Sequence, residues 1–238
     1  IDISGCFRRT GLSTMVKTRV IARTQQLCRI DREAPRADYG IDDADGTMAW
    51  LDARFATCDA AILSDYAKGV VTQALADRCF MLAAKHGKLL AVDPKPLRHL
   101  RYNGAGLMTP NRHEALQLAG LPEPAIGEAY PLEAVCQRIH EQFAPQLLVV
   151  TLGADGIAVA SAGAIIGRLP TIAREVYDVS GAGDTVIATL TAALAAGAPP
   201  LDAATFANLA AGIVVSKVGT AVVTPDEVHQ SLNHSIPS

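Results

Sequence analysis

Between Asp178 and Thr185 the chain reads D-V-S-G-A-G-D-T and runs straight into Val186-Ile187-Ala188-Thr189-Leu190. Gly181, Ala182 and Gly183 are small enough to let an anion approach the backbone. A helix starting there offers unpaired N–H groups and a positive dipole end. Asp184 then sets a carboxylate beside that anion pocket. Like charges repel, so the carboxylate needs a separate task, and accepting the proton of an attacking hydroxyl is one that phosphoryl transfer requires. Asp184 is therefore the candidate general base, with Gly181, Ala182 and Gly183 as the candidate anion hole. The plainer reading is an acid placed favourably at a helix start, which contributes ~0.3–1 kcal/mol.

Such a turn works only if other elements hold a substrate against it. From Ala60 onward short apolar runs alternate with helical patterns: 60–63, 89–92, 106–108 and 147–151 as strands, with helices near 71–86 and 131–143. Continuous apolar strands separated by helices predict a parallel sheet covered on both faces. Ile157 to Ala160 and Ala164 to Leu169 flank Ser161-Ala162-Gly163, a hairpin signal. Two alanine-rich helices, about 182–196 and 201–217, close the core. Ligands of open α/β sheets bind beyond the carboxyl ends of strands. Those ends carry Ser64 to Gly69, Asp93-Pro94-Lys95, Thr109-Pro110-Asn111 with Glu114 behind it, and Thr151 to Gly156.

Upstream of the core, Met15 to Arg23 alternates, with Val16, Thr18, Val20 and Ala22 on one face, and predicts a half-buried strand paired with Leu27 to Asp31. Six basic residues and no acidic one lie between Phe7 and Arg29, among them Lys17, Arg19 and Arg23. They are either a solvated edge guarded by charge or a contact surface for a sugar phosphate. Tyr66 and Trp50 read as packing residues.

Half of the 238 residues are hydrophobic and 19% are charged, as in a packed globular protein. No apolar run approaches the ~18–20 residues of a membrane-spanning helix. The net charge of −3 argues against nucleic acid or an anionic membrane as partner. Five cysteines with no C-x-x-C pair point to reduced, mostly packed thiols of a cytoplasmic protein. A phosphate-binding G-x-x-x-x-G-K-[ST] loop is absent, as is a G-x-G-x-x-G fingerprint around Gly181.

D-V-S-G-A-G-D-T-V-I-A, together with T-P-N-R-H-E (109–114), T-L-G-A-D-G (151–156) and A-N-L-A-A-G-I-V-V-S-K-V-G-T (207–220), resembles the ribokinase-like carbohydrate kinases, the PfkB family. The resemblance runs from about Lys17 to Val228. Within the family, L-S-D-Y-A-K-G, V-D-P-K, R-T-Q-Q-L-C-R-I-D and E-V-Y-D-V-S-G-A-G-D-T are most similar to the members that act on a heptose 7-phosphate of lipopolysaccharide core synthesis. The resemblance implies a three-layer α/β/α fold with a mostly parallel central sheet and a small β-hairpin lid. Residues 1–40 would be part of the lid and 41–238 the kinase core. It further implies ATP and Mg²⁺ as cofactors, and phosphorylation of D-glycero-β-D-manno-heptose 7-phosphate at O1 to the 1,7-bisphosphate.

Carried over position by position, Asp184 is the base and Gly181 to Gly183 supply N–H groups to the transferring phosphoryl. Asn111, Arg112, His113 and Glu114 match a nucleotide and metal loop, with Glu114 acting on Mg²⁺ through water and His113 making main-chain contact only. Thr151, Gly153, Gly156 and Asn208 match the nucleotide side. Lys68 and Lys95 are candidate phosphate contacts. An exposed strand pair seeks a partner, so the hairpin predicts a homodimer.

Ser180 and Thr189 depart from the family pattern, which favours threonine and a smaller residue there. A Gly-Gly-x-x-Asn sugar motif and a nucleotidyltransferase His-x-Gly-His motif are both missing. The sugar motif lies upstream of the hairpin in the family, so the chain, which begins at Ile1, is expected to be N-terminally incomplete. The alternatives are another sugar or nucleoside kinase of the family, or a truncated, non-catalytic nucleotide-binding remnant.

Overall fold

A computed structural model describes residues 2–22, 25–41, 46–96, 100–172 and 177–235. Its central sheet is built from β3 (Ala60–Ser64), β4 (Leu89–Asp93), β5 (Leu107–Met108), β6 (Leu147–Thr151), β7 (Ile157–Ser161) and β8 (Ala164–Leu169), in that spatial order. The first four are parallel, and β7 and β8 continue antiparallel. Side chains alternate between two apolar layers. Leu90, Val92, Leu148 and Val150 enter a core under α1 (Thr47–Thr57), α2 (Gln73–His86), α3 (Arg112–Leu118) and α4 (Leu132–Phe143). Ala91, Leu147, Val149 and Val159 enter the other, under α5 (Ala182–Ala195) and α6 (Pro200–Val215). Both faces are thus covered, which is why these strands read as unbroken apolar runs rather than alternating ones. A last helix, α7 (Pro225–Ser235), lies against α6.

Local chemistry sets the helix ends. Thr72 caps α2 by accepting from Leu75 N–H, and Gly87 ends it in the left-handed conformation with φ 62°. No described helix is long and apolar enough to cross a membrane. Cys79 and Cys136 are buried, but Cys6 and Cys28 are exposed, so the expectation of mostly packed thiols holds for only part of the set.

The hairpin departs from expectation. β1 (Val16–Ala22) and β2 (Gln25–Arg32) pair antiparallel as a separate two-stranded sheet. Every residue of β1 is exposed, including the face predicted to be half buried. Its alternation is therefore not the mark of a covered face within this chain. Behind the hairpin, the Tyr39 hydroxyl accepts from Ala34 N–H at 2.9 Å and donates to Ser13 carbonyl at 3.3 Å, which ties the strands' entry and exit together.

Candidate active site

The anion-hole segment is a helix start, as its glycines require. Gly181 is the N-cap of α5 with φ 82°, and no side chain caps the helix. A left-handed φ is nearly free for glycine and strained for other residues. The first helical bond runs from Thr185 N–H to Gly181 carbonyl at 2.9 Å. Ala182 N–H turns back to Val179 carbonyl at 3.2 Å, while the N–H groups of Gly183 and Asp184 have no partner among the described residues. These two are the donors left for an anion. Asp178 accepts from Ser180 N–H at 2.8 Å and so braces the turn; that bond and the charge of Arg19 hold its carboxyl below the usual range.

Asp184 is exposed at the first turn of α5, and its Oδ1 accepts from the Tyr66 hydroxyl at 2.6 Å. Tyr66 is thus corrected from a packing residue to a polar partner of the candidate base; the residue is 52% exposed. Partial burial first, and the Asp184 carboxylate second, push its phenol up to about 12. Trp50 does pack: it meets Phe7 edge-on at 6.1 Å and lies under the Arg54 guanidinium.

Asp93, Lys95 and Glu114 converge beside this pair. Glu114 is 5% exposed, and its Oε2 accepts from Asn111 N–H while Asn111 Oδ1 accepts from Glu114 N–H, each at 2.9 Å. That reciprocal capping box starts α3, so residues 111–114 are a helix N-terminus rather than a loop. The other Glu114 oxygen pairs with Lys95, which sits on a carboxylate here and not in an open phosphate pocket. Burial first, and the neighbouring Glu114 carboxylate next, push the Asp93 carboxyl up to about 7, against the opposing pull of Lys95. Crowded carboxylates of this kind fit a divalent cation. Mg²⁺ needs only one or two of them, completed by water and substrate phosphates. Asp93 and Glu114 would be its protein side.

A cavity of about 460 Å³ opens along the start of α5. Thr151, Gly153, Gly156, Ala182, Gly183 and Asn208 line it. Gly156 has φ 84°, and a Cβ there would stand 2.0 Å from Leu169 carbonyl, so this turn admits only glycine. Asn208 is buried and donates to Pro170 carbonyl at 2.7 Å. Arg112 and His113 do not line the cavity. Arg112 pairs with Asp155 and stacks on Tyr130 at 4.9 Å, and His113 contacts Glu123 through its ring.

A second cavity, of about 320 Å³, is lined by Lys17, Lys68, Asp65 and Tyr66, with Met15, Val70 and Val71. Lys68 is paired with Glu33, the residue after β2. Arg19 is exposed on β1, outside this lining, and Arg23 lies outside the described residues. The structure thus joins Lys17 and Lys68 to the site and adds Tyr66 and Asp93 to it. One sequence signal for α3 was present, the N-x-x-E spacing of a capping box. Nothing in spacing could link Tyr66 to Asp184 across 118 positions.

A family model described as pfkB family carbohydrate kinase matches residues 1–227. The chain is 40% identical over 232 residues to the bifunctional protein HldE of Desulfatibacillum aliphaticivorans, covering 98% of this chain and 47% of that protein. It spans about half the length of the curated relatives it matches. Its fold is similar to the ribokinase of Giardia lamblia, with a TM-score of 0.77 at 18% identity over 95% of this chain and 73% of that one. It is also similar to an Arabidopsis thaliana ribokinase solved with ribose and ATP, with a TM-score of 0.65 at 20% identity over 87% and 65% of the two chains.

Proposed function

The chain belongs to the pfkB family of carbohydrate kinases, and we propose that it transfers the terminal phosphoryl of ATP to the anomeric hydroxyl of a heptose 7-phosphate. One observation carries this reading: Asp184 adjoins residues that line two cavities. Ala182 and Gly183, just before it, line the larger one, and its partner Tyr66 lines the one that holds Lys17 and Lys68. The larger, partly apolar cavity suits a nucleotide, with its phosphates at the α5 N-terminus. Two lysines in the smaller one suit an acceptor that already carries a phosphate.

In the reaction, Asp184 takes the proton of the acceptor hydroxyl, and the sugar oxygen forms its bond to the terminal phosphorus. The bond to the bridging oxygen breaks, and ADP leaves with that electron pair. The N–H groups of Gly183 and Asp184 point at the charge on the transferring group and stabilise it. Mg²⁺, when bound beside Asp93 and Glu114, supplies charge neutralisation on the phosphate oxygens. Lys95, paired with Glu114, would add a cationic contact to a phosphate held there.

The sequence likeness to heptose 7-phosphate kinases and the relatives named HldE support the heptose and the place in lipopolysaccharide core synthesis. The chemistry consumes ATP, and we assign it to the cytoplasm. The apolar residues exposed on the hairpin, Val16, Val20, Ile21, Leu27 and Ile30, suit pairing with a second copy, as in a homodimer. The test is mass spectrometry of incubations with ATP and a panel of sugars and sugar phosphates. The expected product is a heptose 1,7-bisphosphate. Preferred turnover of ribose, a nucleoside or fructose 6-phosphate would reassign the acceptor, and no turnover of any would favour a nucleotide-binding remnant.

A further inference from the structure

We propose that Tyr66 is a positioning residue, which holds the Asp184 carboxylate by one oxygen and leaves the other facing the acceptor hydroxyl. The inference rests on the kinase reading above and deepens it.

Its starting point is the turn that carries Tyr66. Asp65, 1% exposed, accepts from Ala67 N–H at 2.7 Å and from the Tyr102 hydroxyl at 3.1 Å, while its own N–H donates to Asp93 carbonyl at 3.0 Å. Ala67 is held at φ 53°, a left-handed conformation that is strained for a non-glycine residue. Gly69 follows at φ 111°, with Arg36 carbonyl 2.0 Å from where its Cβ would stand. A turn pinned this way fixes the direction of the side chain at its tip. That side chain is a half-exposed tyrosine, which gains little from packing, and its hydroxyl reaches Asp184 Oδ1 at 2.6 Å.

Asp184 has no other side-chain partner among the described residues, so without the phenol its carboxylate is free to rotate away from the acceptor. The other charged groups near the pair are Asp65, Asp93, Lys95 and Glu114 from the sheet side, and Lys17 and Lys68 in the adjoining cavity. A change from tyrosine to phenylalanine alters none of them.

The test compares wild type with Tyr66→Phe using Mg-ATP and D-glycero-β-D-manno-heptose 7-phosphate across pH, beside a thermal melt to show that the variant folds. The expected result is a kcat lower by about tenfold, as for a lost hydrogen bond to a charged group, with KM for ATP within about twofold. An unchanged kcat would overturn the proposal, and so would a faster variant, which would mean that the phenol obstructs the acceptor. A second readout needs no turnover. In protein labelled at the tyrosine ζ carbon, Asp184→Asn is expected to bring the Tyr66 phenol titration to lower pH, and an unmoved titration would overturn the contact. If wild type itself phosphorylates nothing while this shift is seen, the kinase reading fails and the Tyr66–Asp184 contact stands.

Discussion

The larger cavity is cut into the packed body of the molecule, between α5, α6 and the β6–β7 turn, whereas the lysine-lined one is closed on one side by a hairpin whose β1 strand is exposed throughout. In the first, the wall is fixed in place: Asn208 is bound to Pro170 carbonyl, and Gly156 has no room for a Cβ. In the second, Lys17 sits on the free hairpin and Lys68 reaches back to Glu33 beyond β2. A rigid wall suits a ligand of fixed shape such as a nucleotide. A wall tied down by contacts such as the Lys68–Glu33 ion pair and the Tyr39 hydroxyl suits one that must admit and then enclose an acceptor.

Asp184 follows Gly183 of the larger cavity and is bonded to Tyr66 of the smaller, so its loss is expected to have the largest effect. Asp184→Asn should lower kcat by on the order of 10²–10⁴ with KM for ATP nearly kept, because the proton acceptor goes and the nucleotide wall stays. Steady-state kinetics checks it. A matching loss of ATP affinity would mean that the two cavities are not separate. Next in size is Gly156→Ala, which strains a left-handed position and forces a Cβ onto Leu169 carbonyl. About 2–4 kcal/mol of stability should be lost in urea unfolding. A loss as small as that of an exposed hairpin substitution would erase the contrast between the rigid and the free wall.

The smallest effect concerns pH and the Asp93 carboxyl beside Glu114. Asp93 is held near neutrality, pushed up to about 7 from 3.8. A carboxyl whose pKa is raised on folding binds its proton more tightly in the native state. Its stabilising contribution is full below pH 3.8 and is lost as pH rises through about 7. Asp93→Asn should therefore unfold at higher urea than wild type at pH 8, by about 1–3 kcal/mol, with the gain vanishing towards pH 4. A gain equal at both pH values would point to packing and not to charge.

Much of the core was legible because periodicity reports burial. The apolar runs at 89–92 and 147–151 lie inside β4 and β6, and Gly87 ends α2 as its type suggests. The same signal misled at the hairpin, where alternation of Val16, Thr18, Val20 and Ala22 promised a covered face and the strand is bare. Alternation records that a face is apolar, not what lies against it. At the site, Asp184 and its glycines were legible because the helix-start chemistry is local. Tyr66 was not, since its partner comes from a distant element and its exposure gives it no core signature. Lys95 was placed on the right strand end, but its pairing with Glu114 depends on a cap 19 residues away.

The separation of the two cavities is measured most directly by determining both Michaelis constants in the Lys17→Ala/Lys68→Ala double variant. The KM for the phosphorylated acceptor is expected to rise about tenfold or more, as two phosphate contacts are lost, with the KM for ATP within about twofold of wild type. An equal rise in both constants would contradict an acceptor cavity distinct from the nucleotide's.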